Sequence, residues 1–204
     1  VVMNATDFKE AIDINHKSDL IPKSIKSNKK VLLFQGGLAK NRGIEQLLLA
    51  AKHISDDWNI VFMGRGELEP LIIETKKILK NIFLIPPVDQ KDLFNWTSSA
   101  DLGIIPYRNV NKNHLYCTPN KLWEFTNAGV PFIATDLIEI GSFLRKFNVG
   151  FLLNREFSVE DIYKMINEIS FEDLQNKRHE CIKQSKNLGW NMYKKVILDA
   201  YRIE

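Results

Sequence analysis

The chain contains little cysteine and no long apolar segment. Its two cysteines, Cys117 and Cys181, lie far apart among 204 residues, which excludes a disulfide framework and a cysteine-rich zinc site. No apolar run approaches the ~20 residues that a membrane-spanning helix needs. The 28 Lys and Arg residues nearly balance the 25 Asp and Glu residues, so the net charge of +3 does not predict a nucleic-acid partner. The composition therefore predicts a globular protein of a reducing compartment, and the cytoplasm is the expected location.

Several well-known catalytic motifs are also missing. The four histidines are scattered, without the H-x-x-x-H or H-E-x-x-H spacing of metal ligands, so no metal is expected. The chain has no G-x-S-x-G nucleophile elbow. Cys117 precedes a predicted helix, which could lower the pKa of its thiol, but no partner base is identifiable. A structural role is therefore expected for Cys117.

The amino terminus has neither a methionine nor a signal-peptide pattern. Its first residues, Val1-Val2-Met3, are typical of the end of a strand. We therefore expect the chain to be a fragment that another segment precedes.

Short apolar runs alternate with helical patterns along most of the chain. The predicted strands cover residues 31–34, 59–63, 82–85, 102–105, 130–134 and 149–153. The predicted helices cover residues 44–54, 68–79, 91–99, 119–127 and 138–147, followed by a helical tail after residue 158. Each strand is uniformly apolar, which is typical of a parallel sheet covered by helices on both faces. The pattern predicts an α/β fold with a Rossmann-like, doubly wound, six-stranded parallel sheet.

The first candidate site is the loop from Gly36 to Gly43, between the first strand and the first helix. Gly36 and Gly37 let the backbone approach a ligand closely, and Arg42 offers a planar fork that matches phosphate oxygens. The loop lacks the G-x-G-x-x-G spacing, which disfavours a dinucleotide cofactor. The alternative is an ordinary solvated turn.

A second candidate follows the second strand, where Gly64-Arg65-Gly66-Glu67 combines backbone freedom with a cation. Ligands of such sheets bind at the carboxyl ends of the strands, where this turn is expected to lie. The alternative is a plain turn with an exposed arginine.

The third candidate is the segment from Thr118 to Pro131. Thr118 is a good N-cap and Pro119 suits the first helical position, so the helix is expected to begin there and to attract an anion. Helical spacing places Asn120, Lys121 and Glu124 on one face. A carboxylate at Glu124 could accept two hydrogen bonds from the hydroxyls of a ribose. The alternative is a surface ion pair between Lys121 and Glu124.

Together these features resemble the C-terminal, donor-binding domain of GT-B fold glycosyltransferases, in the large retaining group called group 1. The most specific part is Thr118 to Pro131, which resembles the family segment P-x-K-x-x-E-x-x-x-x-G-x-P. The resemblance also rests on residues 1–7, 34–43 and 101–107, which resemble the interdomain strand and turn, the first loop and the fourth strand.

The resemblance implies a nucleoside-diphosphate sugar, with UDP or GDP as the nucleotide, as the substrate. It implies that Glu124 binds the ribose hydroxyls, that Arg42 is the catalytic cation that neutralises the leaving diphosphate, and that the backbone at Val88 meets the base. The other donor contacts expected on this basis are Gly36, Gly37, Gly64, Arg65, Tyr116, Thr118 and Lys121. Two positions depart from the family pattern. Tyr116 stands where the first Glu of the E-x7-E motif is expected, and Gly37 stands in place of the usual arginine.

The predicted organisation has three parts. Residues 1–30 form an interdomain strand and linker, residues 31–187 form the nucleotide-sugar-binding domain, and residues 188–204 form a helix that packs back toward an N-terminal domain. That acceptor-binding domain, absent from this chain, is the expected partner, and the chain alone is expected to bind the donor and transfer little. A peripheral position at the inner face of a membrane is left open for the whole enzyme.

The predicted function is hexosyl transfer, with retention and without a metal, in polysaccharide or glycoconjugate synthesis. Three alternatives stay open. A GT-B sugar-nucleotide epimerase would share the sheet and the glutamate. A non-catalytic nucleotide-sugar-binding module is favoured by the missing first glutamate, and a generic Rossmann-like interaction domain would bind no nucleotide.

Overall fold

The computed structural model of the chain describes residues 21, 25, 28–186, 188 and 190–201. Within these residues, six parallel strands form one sheet in the order β3-β2-β1-β4-β5-β6. The strands are β1 (Lys30–Gln35), β2 (Trp58–Met63), β3 (Ile82–Ile85), β4 (Leu102–Ile105), β5 (Phe132–Thr135) and β6 (Gly150–Leu153). This sheet confirms the predicted doubly wound α/β fold, and each predicted strand is present within two residues of its expected ends.

Helices follow the strands on the crossover connections. They are α1 (Ile44–Ala50, continued by a 3₁₀ turn at Ala51–His53), α2 (Glu69–Ile78), α3 (Gln90–Ser98), α4 (Lys112–Leu115), α5 (Lys121–Asn127), α6 (Ile138–Phe147), α7 (Val159–Glu168), α8 (Phe171–Ser185) and α9 (Trp190–Tyr201). None of the helices in the described part of the chain is both long enough and apolar enough to cross a membrane.

The core consists of two apolar clusters, one on each face of the sheet. In β1, Val31 and Leu33 belong to one cluster, whereas Leu32 and Phe34 belong to the other, because successive side chains of a strand point to opposite faces. All four side chains are buried. Burial on both faces explains why the strands of the sequence are uniformly apolar instead of alternating.

The strand order reverses direction between β1 and β4. From β1 the chain proceeds through β2 to β3 on one side, and β4, β5 and β6 then extend on the other side. The helices that follow β1 and β4 therefore lie on opposite faces of the sheet, and a crevice opens at the carboxyl ends of these two strands. This crevice is where an open α/β sheet binds its ligands.

The predicted start of the helix at Thr118 and Pro119 is wrong. Helix α5 begins at Lys121, with Asn120 at the N-cap position and without a side-chain capping bond. The N–H of Leu122 donates to the carbonyl of Pro119 at 3.0 Å, a bond over three residues, so a tight turn precedes the α-helix. Thr118 therefore caps no helix.

The sequence patterns predict neither a helix nor a strand in the connection from residue 106 to residue 118. It contains the four-residue helix α4, in which the side-chain oxygen of Asn111 accepts a hydrogen bond from the N–H of His114 at 2.9 Å. A helix of four residues is too short to give a periodic apolar pattern, so the sequence reading missed it.

The last described helix packs onto the sheet domain itself. Tyr193 of α9 is buried, and its ring meets the ring of Trp123 in α5 edge to face, with 6.1 Å between centroids. Nearly all of the predicted linker at residues 1–30 lies outside the described residues, as do residues 1–7 of the resemblance and residues 202–204 of the tail. The predicted three-part division stays a prediction.

Candidate functional site

Two cavities open at the carboxyl ends of the strands, next to the point where the strand order reverses. The first, the Lys121 cavity, has a volume of about 370 Å³ and lies between the loops that follow β1 and β4. Its lining residues are Gly36, Arg42, Tyr107, Asn113, His114, Cys117, Thr118, Pro119, Asn120, Lys121 and Glu124. The second, the Val88 cavity, has a volume of about 230 Å³ and lies over β1, β2 and the loop after β3. Its lining residues are Gln35, Gly36, Met63, Gly64, Pro87, Val88, Gln90, Leu93 and Glu124.

Glu124 and Gly36 line both cavities and therefore form the wall between them. Gly36 has a φ of 103°, and a Cβ at this position would lie 3.0 Å from the Cε of Lys121. Because residue 36 has no side chain, the wall between the two cavities projects little at this point. An elongated ligand that crossed this wall would place its middle part against the Glu124 carboxylate.

The Glu124 carboxylate is held by a side chain from the sheet. Gln35, the last residue of β1, donates from its amide nitrogen to Oε2 of Glu124 at 2.6 Å. Burial raises the pKa of Glu124, whereas the hydrogen bond from Gln35 and the charge of Lys121 lower it. Burial is the largest of these effects, so the pKa of Glu124 lies above its usual value. Because Gln35 engages Oε2 and the residue lines both cavities, Oε1 is the oxygen left for a ligand.

Lys121 is buried, with only 7% of its surface exposed, and its Nζ has no hydrogen-bond partner among the described residues. The ammonium lies 4.2 Å from the ring centroid of Phe34 and 5.2 Å from that of Tyr107. Burial, aided by the nearby charge of Arg42, lowers the pKa of Lys121 to about 7. The alternative of an exposed Lys121–Glu124 ion pair is therefore wrong, because the amine is enclosed and lines the cavity.

Arg42 is positioned by close contact between the loops after β1 and β4. Gly43 adopts a φ of 74°, and a Cβ there would lie 1.9 Å from the carbonyl oxygen of Pro106, so only glycine fits this crossing. Next to it, the N–H of Arg108 donates to the carbonyl of Asn41 at 2.9 Å.

The guanidinium carbon of Arg42 then lies 4.2 Å from the ring centroid of Tyr107, within the range of a cation–π contact. Burial raises the pKa of Tyr107 to about 12, although Arg42 opposes this shift. Tyr107 is therefore a neutral platform for the cation.

Seven of the ten predicted site residues line one cavity or both. Gly36, Arg42, Thr118, Lys121 and Glu124 line the Lys121 cavity, and Gly36, Gly64, Val88 and Glu124 line the Val88 cavity. The other three line neither.

Those three residues are Gly37, Arg65 and Tyr116. A Cβ at Gly37 would meet no atom within 4 Å, so nothing approaches the backbone closely there. Arg65 is exposed in its turn, and Tyr116 is 55% exposed. Their predicted contacts with a donor stay predictions.

The sequence reading missed the roles of Gln35 and Tyr107. Gln35 could have been found, because it is a polar residue at the carboxyl end of an otherwise apolar strand. Burial raises the pKa of the Cys117 thiol, and the thiol donates to the carbonyl of His114 at 3.2 Å, which fits the structural role expected for this residue. Within the described residues, no group of three or more His, Cys, Asp or Glu side chains is arranged to hold a metal ion.

The chain matches the family described as glycosyl transferases group 1 over residues 17–188. The chain belongs to this family. The match confirms the predicted resemblance to group 1 glycosyltransferases, and the sheet confirms the Rossmann-like domain expected of a GT-B fold.

Individual relatives of this group 1 glycosyltransferase are distant. A protein of Bacillus subtilis (strain 168) described as a glycosyltransferase of teichuronic acid biosynthesis, TuaH, is 29% identical over 108 residues, or 52% of this chain. The lipopolysaccharide glycosyltransferase WaaG is 16% identical over 89% of this chain, with a TM-score of 0.66. Anabaena Alr3699/HepE, solved with UDP and glucose, is 13% identical over 96% of this chain, with a TM-score of 0.71.

The chain spans about half the length of the two solved structures, 51% of WaaG and 56% of HepE. The part of TuaH that it matches is 27% of that protein. At these identities, the structural matches establish the fold of the chain and not its substrates.

Proposed function

We propose that this chain is the part of a glycosyltransferase that binds a nucleoside-diphosphate sugar, from which the whole enzyme transfers a hexose with retention. The acceptor would be bound by an N-terminal domain outside this chain. The observation that carries the proposal is the position of Glu124 on the wall between two cavities, one with two cations and one in which Glu124 is the only charged lining residue.

The proposed pose follows from this arrangement. The base lies in the Val88 cavity, and the ribose crosses the wall at Gly36 and Glu124. The diphosphate then lies beside Arg42 and Lys121 in the Lys121 cavity. A carboxylate suits the ribose because it accepts hydrogen bonds from two hydroxyl groups.

The two cations supply the chemistry that glycosyl transfer needs. When the bond between the sugar and the diphosphate breaks, negative charge develops on the leaving phosphate oxygens. Arg42 and the protonated form of Lys121 stabilise that charge in a partly enclosed site, where such stabilisation is strong. We propose that these side chains make a metal unnecessary.

The relatives support a role in cell-surface polymers. TuaH is described as a glycosyltransferase of teichuronic acid biosynthesis and WaaG as one of lipopolysaccharide biosynthesis. HepE has been solved with UDP and glucose and with UDP-glucose. We therefore propose UDP-sugar or GDP-sugar donors and polysaccharide or glycoconjugate synthesis, in the cytoplasm or at the inner face of a membrane.

The test is calorimetry of the 204-residue chain with UDP, GDP and 2′-deoxyuridine diphosphate. Wild-type chain is expected to bind UDP or GDP. Arg42→Ala and Glu124→Gln should each weaken that binding by about 1.5–3 kcal/mol, or roughly 10- to 150-fold, because each removes a hydrogen bond to a charged group. Glu124→Gln should weaken the binding of the deoxy ligand by a smaller amount, because that ligand keeps only one of the two hydroxyls.

Arg65→Ala is the matched control, since Arg65 is a second arginine after a strand but lines neither cavity. Equal losses for Arg42→Ala and Arg65→Ala would contradict the placement of the diphosphate. Absence of binding to UDP and GDP by the wild-type chain would contradict the proposal itself.

One observation favours a second candidate, a non-catalytic nucleotide-sugar-binding module. Tyr116 stands where the first glutamate of the family motif is expected, and its ring is 55% exposed outside both cavities. A whole protein that binds the donor but neither transfers nor hydrolyses it would support this candidate.

A further inference from the structure

We propose that Gln35 and Thr97 are positioning residues that fix the orientation and the charge of the Glu124 carboxylate. The inference concerns this chain's own side chains and rests on the proposed function only where it concerns the ribose. It assigns a role to Thr97, which lies outside the family segments quoted above, and to Gln35, which lies in the first-loop segment but has no role implied by the resemblance.

Gln35 is buried at the carboxyl end of β1, with 2% of its surface exposed. Its amide nitrogen donates to Oε2 of Glu124 at 2.6 Å, and its amide oxygen accepts from the hydroxyl of Thr97 at 2.9 Å. The strand, α3 and α5 are thus joined by two consecutive hydrogen bonds between side chains far apart in sequence.

The direction of the two hydrogen bonds follows from the charge of Glu124. An ionised carboxylate accepts hydrogen bonds and donates none, so the amide of Gln35 must turn its nitrogen toward it. The amide oxygen then faces Thr97, whose hydroxyl must supply the donor. That hydroxyl has a single proton, and a second acceptor, the carbonyl of Leu93, lies 2.8 Å away. The proton points toward Gln35 because the amide oxygen of Gln35 needs a donor.

Thr97 is fully buried, so water cannot take the place of its hydroxyl as the hydrogen-bond donor to Gln35. Removing either partner leaves a buried polar group without its bond, which is more costly than the bond itself is stabilising. The network therefore holds one oxygen of Glu124 against the sheet and leaves the other to the two cavities.

The first experiment measures the ionisation of Glu124 in the ligand-free chain, by NMR titration of carboxyl groups labelled with carbon-13. The signal is assigned by its loss in Glu124→Gln. Gln35→Leu should raise the pKa of Glu124, because it removes a hydrogen bond that favours the carboxylate. Thr97→Val, which keeps the shape and removes the hydroxyl, should shift the pKa in the same direction by a smaller amount.

Two controls separate positioning from packing. Thr97→Ser restores the hydroxyl and should restore the wild-type titration. Ser98→Ala removes a neighbouring buried hydroxyl of α3 that donates to the carbonyl of Asn95 instead, and it should leave the titration unchanged. An unchanged pKa in Gln35→Leu overturns the proposal, and if that variant does not fold, an unchanged pKa in Thr97→Val overturns it.

The second experiment compares the affinities for UDP and for 2′-deoxyuridine diphosphate. Gln35→Leu should lower the preference for UDP over 2′-deoxyuridine diphosphate by about tenfold, toward the preference of the Glu124→Gln variant. A preference equal to that of the wild type overturns the role of Gln35 in ribose binding. If the wild-type chain binds neither UDP nor GDP, the proposed function fails, and the titration still decides whether Gln35 sets the charge of Glu124.

Discussion

At the scale of single residues, Lys121 lies in an unfavourable environment in the ligand-free domain. Its enclosed ammonium faces aromatic rings, and its folded-state pKa of about 7 lies well below the 10.5 of an exposed lysine. Such an arrangement destabilises the ligand-free domain and stabilises a complex with an anion. It is the pattern expected where a residue is selected for binding and not for stability.

The pH dependence of folding tests this reading of Lys121. Between pH 7 and about 10, the unfolded chain keeps a proton on Lys121 that the folded chain has lost, so stability rises with pH over this window. Lys121→Met should remove that rise and stabilise the chain at pH 7 by a few kcal/mol, since each unit of pKa shift corresponds to about 1.4 kcal/mol. Urea unfolding at pH 7 and pH 9.5 measures the difference between variant and wild type.

Lys52→Met replaces an exposed lysine and should leave the pH dependence as in the wild type. Parallel curves for the wild type and Lys121→Met would show that the amine is not enclosed.

Two of the three glycines in the first loop, Gly37 and Gly43, allow a second prediction at the scale of residues. Gly43→Ala places a Cβ at a positive φ and 1.9 Å from the carbonyl oxygen of Pro106, so it should lower the free energy of unfolding by more than about 2 kcal/mol. Gly37→Ala meets no atom within 4 Å and should change it by less than about 0.5 kcal/mol. Denaturant unfolding of both variants decides, and similar values for the two would contradict the loop crossing.

At the scale of secondary-structure elements, the helices after β6 have clearly defined N-caps. The hydroxyl of Ser158 accepts from the N–H of Asp161, and the carboxylate of Asp161 accepts from the N–H of Ser158, which forms a capping box at the start of α7. Ser158→Ala should lower the free energy of unfolding by about 1 kcal/mol at neutral pH.

The hydrogen bonds from Ser158 lower the pKa of Asp161, so their contribution to stability is present at neutral pH and is lost as the pH falls below the usual aspartate range. Thermal unfolding of both proteins should therefore differ less at acidic pH. A difference that grows on acidification would contradict the capping box.

The elements also show how much of the structure could be predicted from the sequence. The strands were predictable because each is a short apolar run, and the first four are followed by glycine or proline. The start of α5 was not, since Thr118-Pro119 is a good capping pattern that the chain uses for a turn. Among site residues, the charged groups were found by type and motif. Their environment was not, because the partners of Glu124 and Arg42, namely Gln35 and Tyr107, come from segments distant in sequence.

At the scale of the whole molecule, the reversal of the strand order brings the site together. The loop after β1 carries Arg42, the connection between β4 and β5 carries Lys121 and Glu124, and the two meet because β1 and β4 are neighbours in the sheet. Two segments separated by many residues thus share one crevice, which no local pattern could have predicted without the topology.

The last helix also depends on the whole fold, because Tyr193 of α9 contacts α5, the helix that carries Lys121 and Glu124. Tyr193 of α9 meets Trp123 of α5 edge to face, and Trp123 in turn meets Phe143 of α6 with 5.0 Å between ring centroids.

Tyr193→Ala should lower the free energy of unfolding by about 3 kcal/mol, since it removes a buried aromatic ring. The fluorescence of Trp123, assigned by comparison with Trp123→Phe, should shift to longer wavelength as water reaches the indole. Tyr193→Phe keeps the ring and should behave as the wild type within about 0.5 kcal/mol. If Tyr193→Ala left both the stability and the emission unchanged, α9 would not be packed on α5, and the site would be supported by the sheet domain alone.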